Sequence, residues 1–303
     1  MFSSRIGAAR LLIGVVVSLM VVKALVARLT GSISVLAQAS DSLLDIFAGM
    51  ITLLAVRAAA KPADEEHPYG HGKVEDIAGA AQALLLFAAG GLIIRSSVQR
   101  IISGTTIELT EAGIAVMLVS IVVSVFLSRH LLKVARATDS VALEANSRNI
   151  AADVYSASAV LAGLLAVRFT GMSVIDPALA IGVAVYILWM AIAAIRRPLS
   201  GLVDSRLSSE EEAVMRGSLT KHSHEVVGFH DLRTRRAGSQ RYMELHLVMY
   251  KRVTLEQAHS VCDQIEADVK DGLREVKITI HAEPCNDACE RCAAICSSRP
   301  SGR

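Results

Sequence analysis

Apolar residues fill the first two-thirds of the chain in long stretches, each near the roughly 20 residues that a bilayer crossing requires. Six such stretches are centred on Leu11 to Val26, Ile33 to Val56, Ile77 to Ile94, Ile114 to Leu132, Ile150 to Val167 and Val174 to Ile195. After Arg197 and Pro198 the pattern changes abruptly. Ser208 with Glu211, and Thr254 with Gln257, have the spacing at which a cap hydroxyl and a later carboxyl or amide satisfy each other's backbone N–H groups. They predict helices running to about His222 and about Gly272. Alternation over Val226 to Arg235, Arg241 to Lys251 and Val276 to His281 predicts three strands, the first two joined at Ala237 to Gln240. The expected architecture is a membrane all-α bundle of six transmembrane helices over residues 1–204, followed by an α+β domain of order αββαβ over 205–284. Residues 285–303 form a Cys-rich tail without apolar periodicity, expected to be loose.

Composition agrees with this division. Of 303 residues 52% are hydrophobic and 20% charged, and the mean hydropathy of +0.46 is too apolar for a soluble domain of this size. The net charge of +2 offers nothing to a polyanion, so nucleic acid is set aside as a partner. Met1 to Arg10 leads into apolar sequence without a small-residue cleavage site, which reads as a first span and not as a removable signal. An even number of spans leaves both termini on one side. Arg5, Arg10, Arg57, Lys61, Lys73, Arg129, Lys133, Arg136, Arg196 and Arg197 fall at the termini and even-numbered turns, against Arg28, Arg95, Arg100 and Arg168 opposite. The positive-inside rule then puts both termini in the cytoplasm. No cysteine precedes Cys262, so no disulfide framework holds the main body. Cys262 itself has the periodicity of a helix core position.

Chemistry enters at SDSLLD, residues 40–45. Asp41 and Asp45 are four apart, so on a helix their carboxylates share one side. An aspartate in a membrane helix is costly and normally faces the bundle interior or a wet cavity, which makes an ion or proton site the default reading. The fifth stretch has a matching polar face in Asn149 and Asp153, again four apart, with Asn146 just before them. Together these side chains offer oxygen donors to one hard or borderline divalent cation; a plain reading of Asn149 is an amide that bridges membrane helices. In the turn KPADEEHPYGHGKVED, Asp64, His67 and His71 form a D-x-x-H-x-x-x-H set, with Gly70 and Gly72 giving the backbone freedom to converge them. Mixed nitrogen and oxygen donors suit Zn²⁺, Fe²⁺ or Mn²⁺; the plain reading is histidines at helix ends. No H-E-x-x-H pattern of a metallohydrolase occurs, and no enzyme is expected.

The strings SDSLLD, KPADxxHPYGHGKxE, ALxAN and HxEP resemble the cation diffusion facilitator family, over a match from about Ser32 to Pro284. The resemblance implies a homodimer of six-span subunits with cytoplasmic metallochaperone-like domains, exporting divalent metal in exchange for protons across the inner membrane. It implies a transport site of Asp41, Asp45, Asn149 and Asp153, a loop site of Asp64, His67 and His71, and a paired metal site from His230, His246, His259, His281 and Glu283. Lys73 and Asp204 match the family's charged pair between subunits. His130, His222 and His224 match nothing and are read as surface residues.

The sequence departs from that pattern at three places. Zinc-exporting members generally have histidine where this chain has Asn149, so the transport site loses its only imidazole and should favour Mn²⁺ or Fe²⁺ over Zn²⁺. Arg148 stands where the family usually has an apolar residue, and a guanidinium facing the site would repel a cation; one residue is about 100° round a helix, so it can also point away. With a damaged membrane site, the chain would instead be a non-transporting metal sensor or scaffold. The tail CNDACERCAAIC carries Cys285, Cys289, Cys292 and Cys296, which on a helix would align as a Cys₄ metal set, or would be incidental thiols of a loose tail. Divalent metal as substrate and regulator, protons as counter-ion, the bilayer and a second copy of the chain are thus the expected partners.

Overall fold

The computed structural model describes residues 4–30, 33–103, 111–170, 172 and 174–286. The chain divides into two compact units, Met1–Leu202 and Val203–Arg303.

The first unit contains α1 (Arg5–Thr30), α2 (Ile33–Ala59), α3 (Lys73–Ser103), α4 (Glu111–Thr138), α5 (Val141–Thr170) and α6 (Ile175–Leu202). Among the described residues these six helices are long and apolar enough to cross a membrane. Helices α1, α2, α4 and α5 meet in one core that includes Leu12, Val56, Leu131 and Leu143. Large side chains such as Phe47, Phe126 and Trp189 are exposed, which water would penalise and lipid would not. Helix α3 packs closely on α6 where side chains are absent: a Cβ at Gly90 would stand 2.8 Å from Leu188 Cδ2. The last helix continues through Pro198 to Leu202, beyond the expected end near Ile195. A buried proline forfeits one helical bond, and its ring fills the space left by Gly79 on α3.

The second unit is α7 (Ser209–Lys221), β1 (Val226–Ala237), β2 (Gln240–Met249), α8 (Leu255–Gly272) and β3 (Val276–Pro284), the expected αββαβ order. Both capping boxes form as their spacing requires, at Ser208 with Glu211 and at Thr254 with Gln257. Central strand β2 pairs antiparallel with β1 and parallel with β3. The hairpin turns at Gly238, whose φ of 59° suits a residue without a Cβ. Along β2, Met243, Leu245, Leu247 and Met249 point into a core shared with Met215 of α7 and with Val261, Cys262, Ile265 and Val269 of α8. Helices therefore cover one face of the sheet. The alternate residues Glu244, His246 and Val248 occupy the other face.

Candidate metal centres

Strand register builds the first centre. His230 of β1 pairs across to His246 of β2, and His246 pairs to His281 of β3, so three imidazoles form one row on the open face of the sheet. Ring centroids are 5.0 Å apart for His230 and His246, and 4.8 Å for His246 and His281. Glu283, two residues beyond His281 and so on the same face, lies with Oε1 2.5 Å from His230 Nε2 and Oε2 3.7 Å from His246 Nδ1. The His230 hydrogen bond holds the Glu283 carboxyl below its ordinary range, outweighing burial. One ligand atom from each of His230, His246 and Glu283 falls within 4.8 Å of the others. His259 stands apart from them. It is exposed on α8, in the helix layer of its own domain, and its Nε2 is 3.7 Å from Asp263 Oδ2.

The second centre is the turn between α2 and α3. Asp64 sits between two imidazoles, with Oδ1 3.2 Å from His67 Nδ1 and Oδ2 3.3 Å from His71 Nε2. Gly70 takes φ 83° and donates its N–H to His67 O at 2.8 Å, which curls the chain and brings the rings to 4.4 Å. The His67 backbone N–H donates to Asp64 Oδ1 at 2.7 Å and keeps that carboxyl below its ordinary range. His71 Nδ1 is buried without a hydrogen-bond partner among the described residues. These three side chains also place one ligand atom each within 4.8 Å.

The membrane set is built differently. Asp41 is on α2, but its side chain lies outside the described residues. Asp45 of α2 and Asn149 of α5 are half-buried on two helices that touch, while Asp153 of α5 is exposed. The amide oxygen of Asn149 is buried and has no hydrogen-bond partner among the described residues. The membrane aspartates do not join a close cluster of ligand atoms among the described residues, unlike the other two sets.

Their surroundings contain partners that the sequence reading missed. Thr52 of α2 accepts from Gln82 Nε2 of α3 at 2.5 Å and from Asn146 Nδ2 of α5 at 3.0 Å, and donates to Ala48 O at 2.9 Å. Thr52 follows Asp45 by seven residues and Asn146 precedes Asn149 by three, so this buried link lies on the helix faces that bear the candidate ligands. Glu75, fully buried, accepts from Ser140 Oγ at 2.8 Å and from the Val141 N–H at 3.0 Å, fixing the start of α5. Arg148 turns to Glu144, with Nη2 2.7 Å from Oε1, and Arg197 of α6 reaches the other oxygen of that carboxylate.

The remaining expected residues are dispersed. Lys73 Nζ donates to Leu202 O at 3.4 Å, and Asp204 Oδ1 is 3.2 Å from Arg235 Nη1. Cys285 is buried, its backbone N–H donating to Met249 O at 2.9 Å. Cys289, Cys292 and Cys296 lie outside the described residues.

Two domain families account for nearly all of this. The cation efflux transmembrane domain matches residues 10–203, and the cation efflux protein cytoplasmic domain matches residues 207–285. The cation-efflux pump FieF of Shigella flexneri serotype 5b (strain 8401) is 34% identical over 257 residues, 85% of each chain. FieF of Salmonella paratyphi A (strain ATCC 9150 / SARB42) is 33% identical over 269 residues, 89% of each. Among solved structures, the Zn form of CzrB is 35% identical, covering 27% of this chain and 92% of its own with a TM-score of 0.25. The chain belongs to the cation diffusion facilitator family: it is a multi-pass membrane transporter for cation efflux, similar to FieF.

Proposed function

We propose that this transporter exports a first-row divalent metal across the inner membrane in exchange for protons, with Mn²⁺ or Fe²⁺ favoured over Zn²⁺. The observation that carries the metal preference is the buried, unpartnered amide oxygen of Asn149. An acceptor left without a partner in a membrane bundle is costly, and a bound cation offsets that cost. With Asp41, Asp45 and Asp153 the donor set is all oxygen, and nitrogen ligation is what gives Zn²⁺ much of its advantage.

The cycle starts with the carboxylates deprotonated and the site open to the cytoplasm. Metal binding offsets most of the buried negative charge, and the loaded bundle exchanges to an outward state. There protons displace the metal from Asp41, Asp45 and Asp153. Because an amide does not titrate, the protons must be carried by the aspartates. The ion pair of Arg148 with Glu144 supports transport over a sensor role, since it directs the guanidinium to a carboxylate one turn away.

The cytoplasmic centres are regulators in this reading. Asp64, His67 and His71 bind metal in the turn; His230, His246, His281 and Glu283 bind it on the open sheet face. His259 lies on the other layer of its own domain, so it would join such a site from a second copy of the chain. Lys73 and Asp204 would add a charged contact between the copies, with both termini cytoplasmic. Cys285, Cys289, Cys292 and Cys296 would offer a thiolate set once deprotonated.

Metal uptake into liposomes across a panel of Mn²⁺, Fe²⁺, Co²⁺, Zn²⁺ and Cd²⁺ tests the preference. The expected result is movement of Mn²⁺ or Fe²⁺, with Asn149→His shifting the preference towards Zn²⁺. Robust Zn²⁺ uptake with no Mn²⁺ or Fe²⁺ movement would overturn it.

A further inference from the structure

His222 and His224, expected to be plain surface residues, meet a common partner. Glu225 Oε1 lies 3.0 Å from His222 Nδ1 and 3.4 Å from His224 Nε2. A carboxylate between two imidazoles also defines the turn centre, where the two oxygens of Asp64 face His67 and His71 separately. It recurs on the sheet, where Glu283 stands between His230 and His246. Two imidazoles thus meet one carboxylate a third time in the chain, in a more open set than the other two, whose ligand atoms alone converge within 4.8 Å among the described residues.

The position is held from several directions. His222 is the C-cap of α7, its backbone N–H donating to Ser218 O at 3.3 Å, and its side chain is only 13% exposed. The other ring nitrogen, Nε2, faces Asp268 Oδ2 of α8 at 3.5 Å. Asp268 is itself fixed by Ser218 Oγ and Lys221 Nζ, both at 3.3 Å. A histidine that ligates a metal usually donates its second nitrogen to a carboxylate, which sets the tautomer and leaves the first nitrogen's lone pair for the ion. Asp268 is placed for that task, with Nδ1 of His222 turned to Glu225. His224 is 75% exposed, so its ring can swing towards an incoming ion at little cost.

The geometry points to a third cytoplasmic cation site, formed by His222 Nδ1, His224 Nε2 and the Glu225 carboxylate, with Asp268 as positioning residue. Two nitrogens and an oxygen suit borderline divalent ions such as Zn²⁺, Fe²⁺ and Co²⁺. The site lies at the α7–α8 end of the domain, and no membrane residue takes part. Its existence is therefore independent of which metal is exported, and of whether export is coupled to protons.

Zn²⁺ is the probe, titrated into the full chain in detergent against a chromophoric chelator. In a background with His67, His71, His230 and His246 all changed to alanine, His224→Ala should remove one further Zn²⁺ equivalent per chain. Glu225→Gln should do the same, and both substitutions lie on side chains that pack against no core. Asp268→Asn should keep the equivalent but weaken it roughly 10–100-fold, the usual effect of losing a partner that orients a ligand. Equal Zn²⁺ stoichiometry and affinity with and without His224 and Glu225 would overturn the site and leave a hydrogen-bonded histidine–carboxylate cluster in its place.

Discussion

Arg148 Nη2 lies 2.7 Å from Glu144 Oε1, one helical turn before Asn149. The pairing keeps a guanidinium, on the residue next to a candidate ligand, occupied with a carboxylate that Arg197 also holds. Removing that carboxylate charge should release the positive field of Arg148 onto the site. At about 10 Å and an effective dielectric near 20, one unit charge acting on a divalent ion is worth about 3 kcal/mol, on the order of a hundredfold loss of metal affinity. Glu144→Gln should therefore raise the apparent KM for metal by about that factor, and Glu144→Gln with Arg148→Leu should restore it. A double variant no better than the single one would show that Glu144 acts only in packing.

The three-helix link at Thr52 should be visible as stability. Thr52→Val keeps the shape and removes the hydroxyl, leaving the Gln82 and Asn146 amides without their common acceptor. Stranded donors cost about 1–3 kcal/mol, and bonds between membrane helices average nearer the low end. Thermal unfolding in detergent should shift down by a few degrees. An unchanged midpoint would mean that the two amides find other partners.

Acid should weaken the cytoplasmic domain through Glu211. Burial pushes this carboxyl up, but Arg241 Nε at 2.7 Å and the Arg236 guanidinium outweigh it and hold the pKa at about 2, against 4.5 ordinarily. A folded pKa below the unfolded one stabilises above the unfolded value, and that stability disappears as pH falls from about 4.5 to about 2. The difference amounts to on the order of 3 kcal/mol at neutral pH. Glu211→Gln should lower the unfolding midpoint of this domain at pH 7 and flatten its dependence on acid. A variant with the wild-type acid profile would show that Glu211 does not set the acid sensitivity of the domain.

Local signals were the most legible in the sequence. The capping boxes at Ser208 and Thr254 involve residues three apart, and both form. The six apolar stretches and the αββαβ order rest on periodicity alone, and both appear in the structure. The loop set of Asp64, His67 and His71 is also local, needing only a turn at Gly70 to converge. The resemblance grouped His230, His246 and His281, but their cross-strand pairing was not legible, because it depends on strand register and on an irregularity between His230 and Arg233, where Asp231 takes φ 53°. His222 was misjudged for the same kind of reason: Asp268, which holds it, is on another helix and 46 positions away in sequence. Thr52 and Gln82 are single polar residues in apolar runs, and only tertiary packing reveals that they meet. The pair of Arg148 with Glu144 was within reach, since an i,i+4 ion pair on a helix can be read directly.

The most direct test of metal–proton exchange through the α2–α5 site is proton flux in liposomes driven by a metal gradient, with wild type beside Asp45→Ala. Flux that depends on Mn²⁺ or Fe²⁺ is expected in the wild type and should be lost in Asp45→Ala, with the variant still folded. Undiminished metal-driven proton flux in Asp45→Ala, or metal movement in the wild type with no accompanying proton flux, would contradict it.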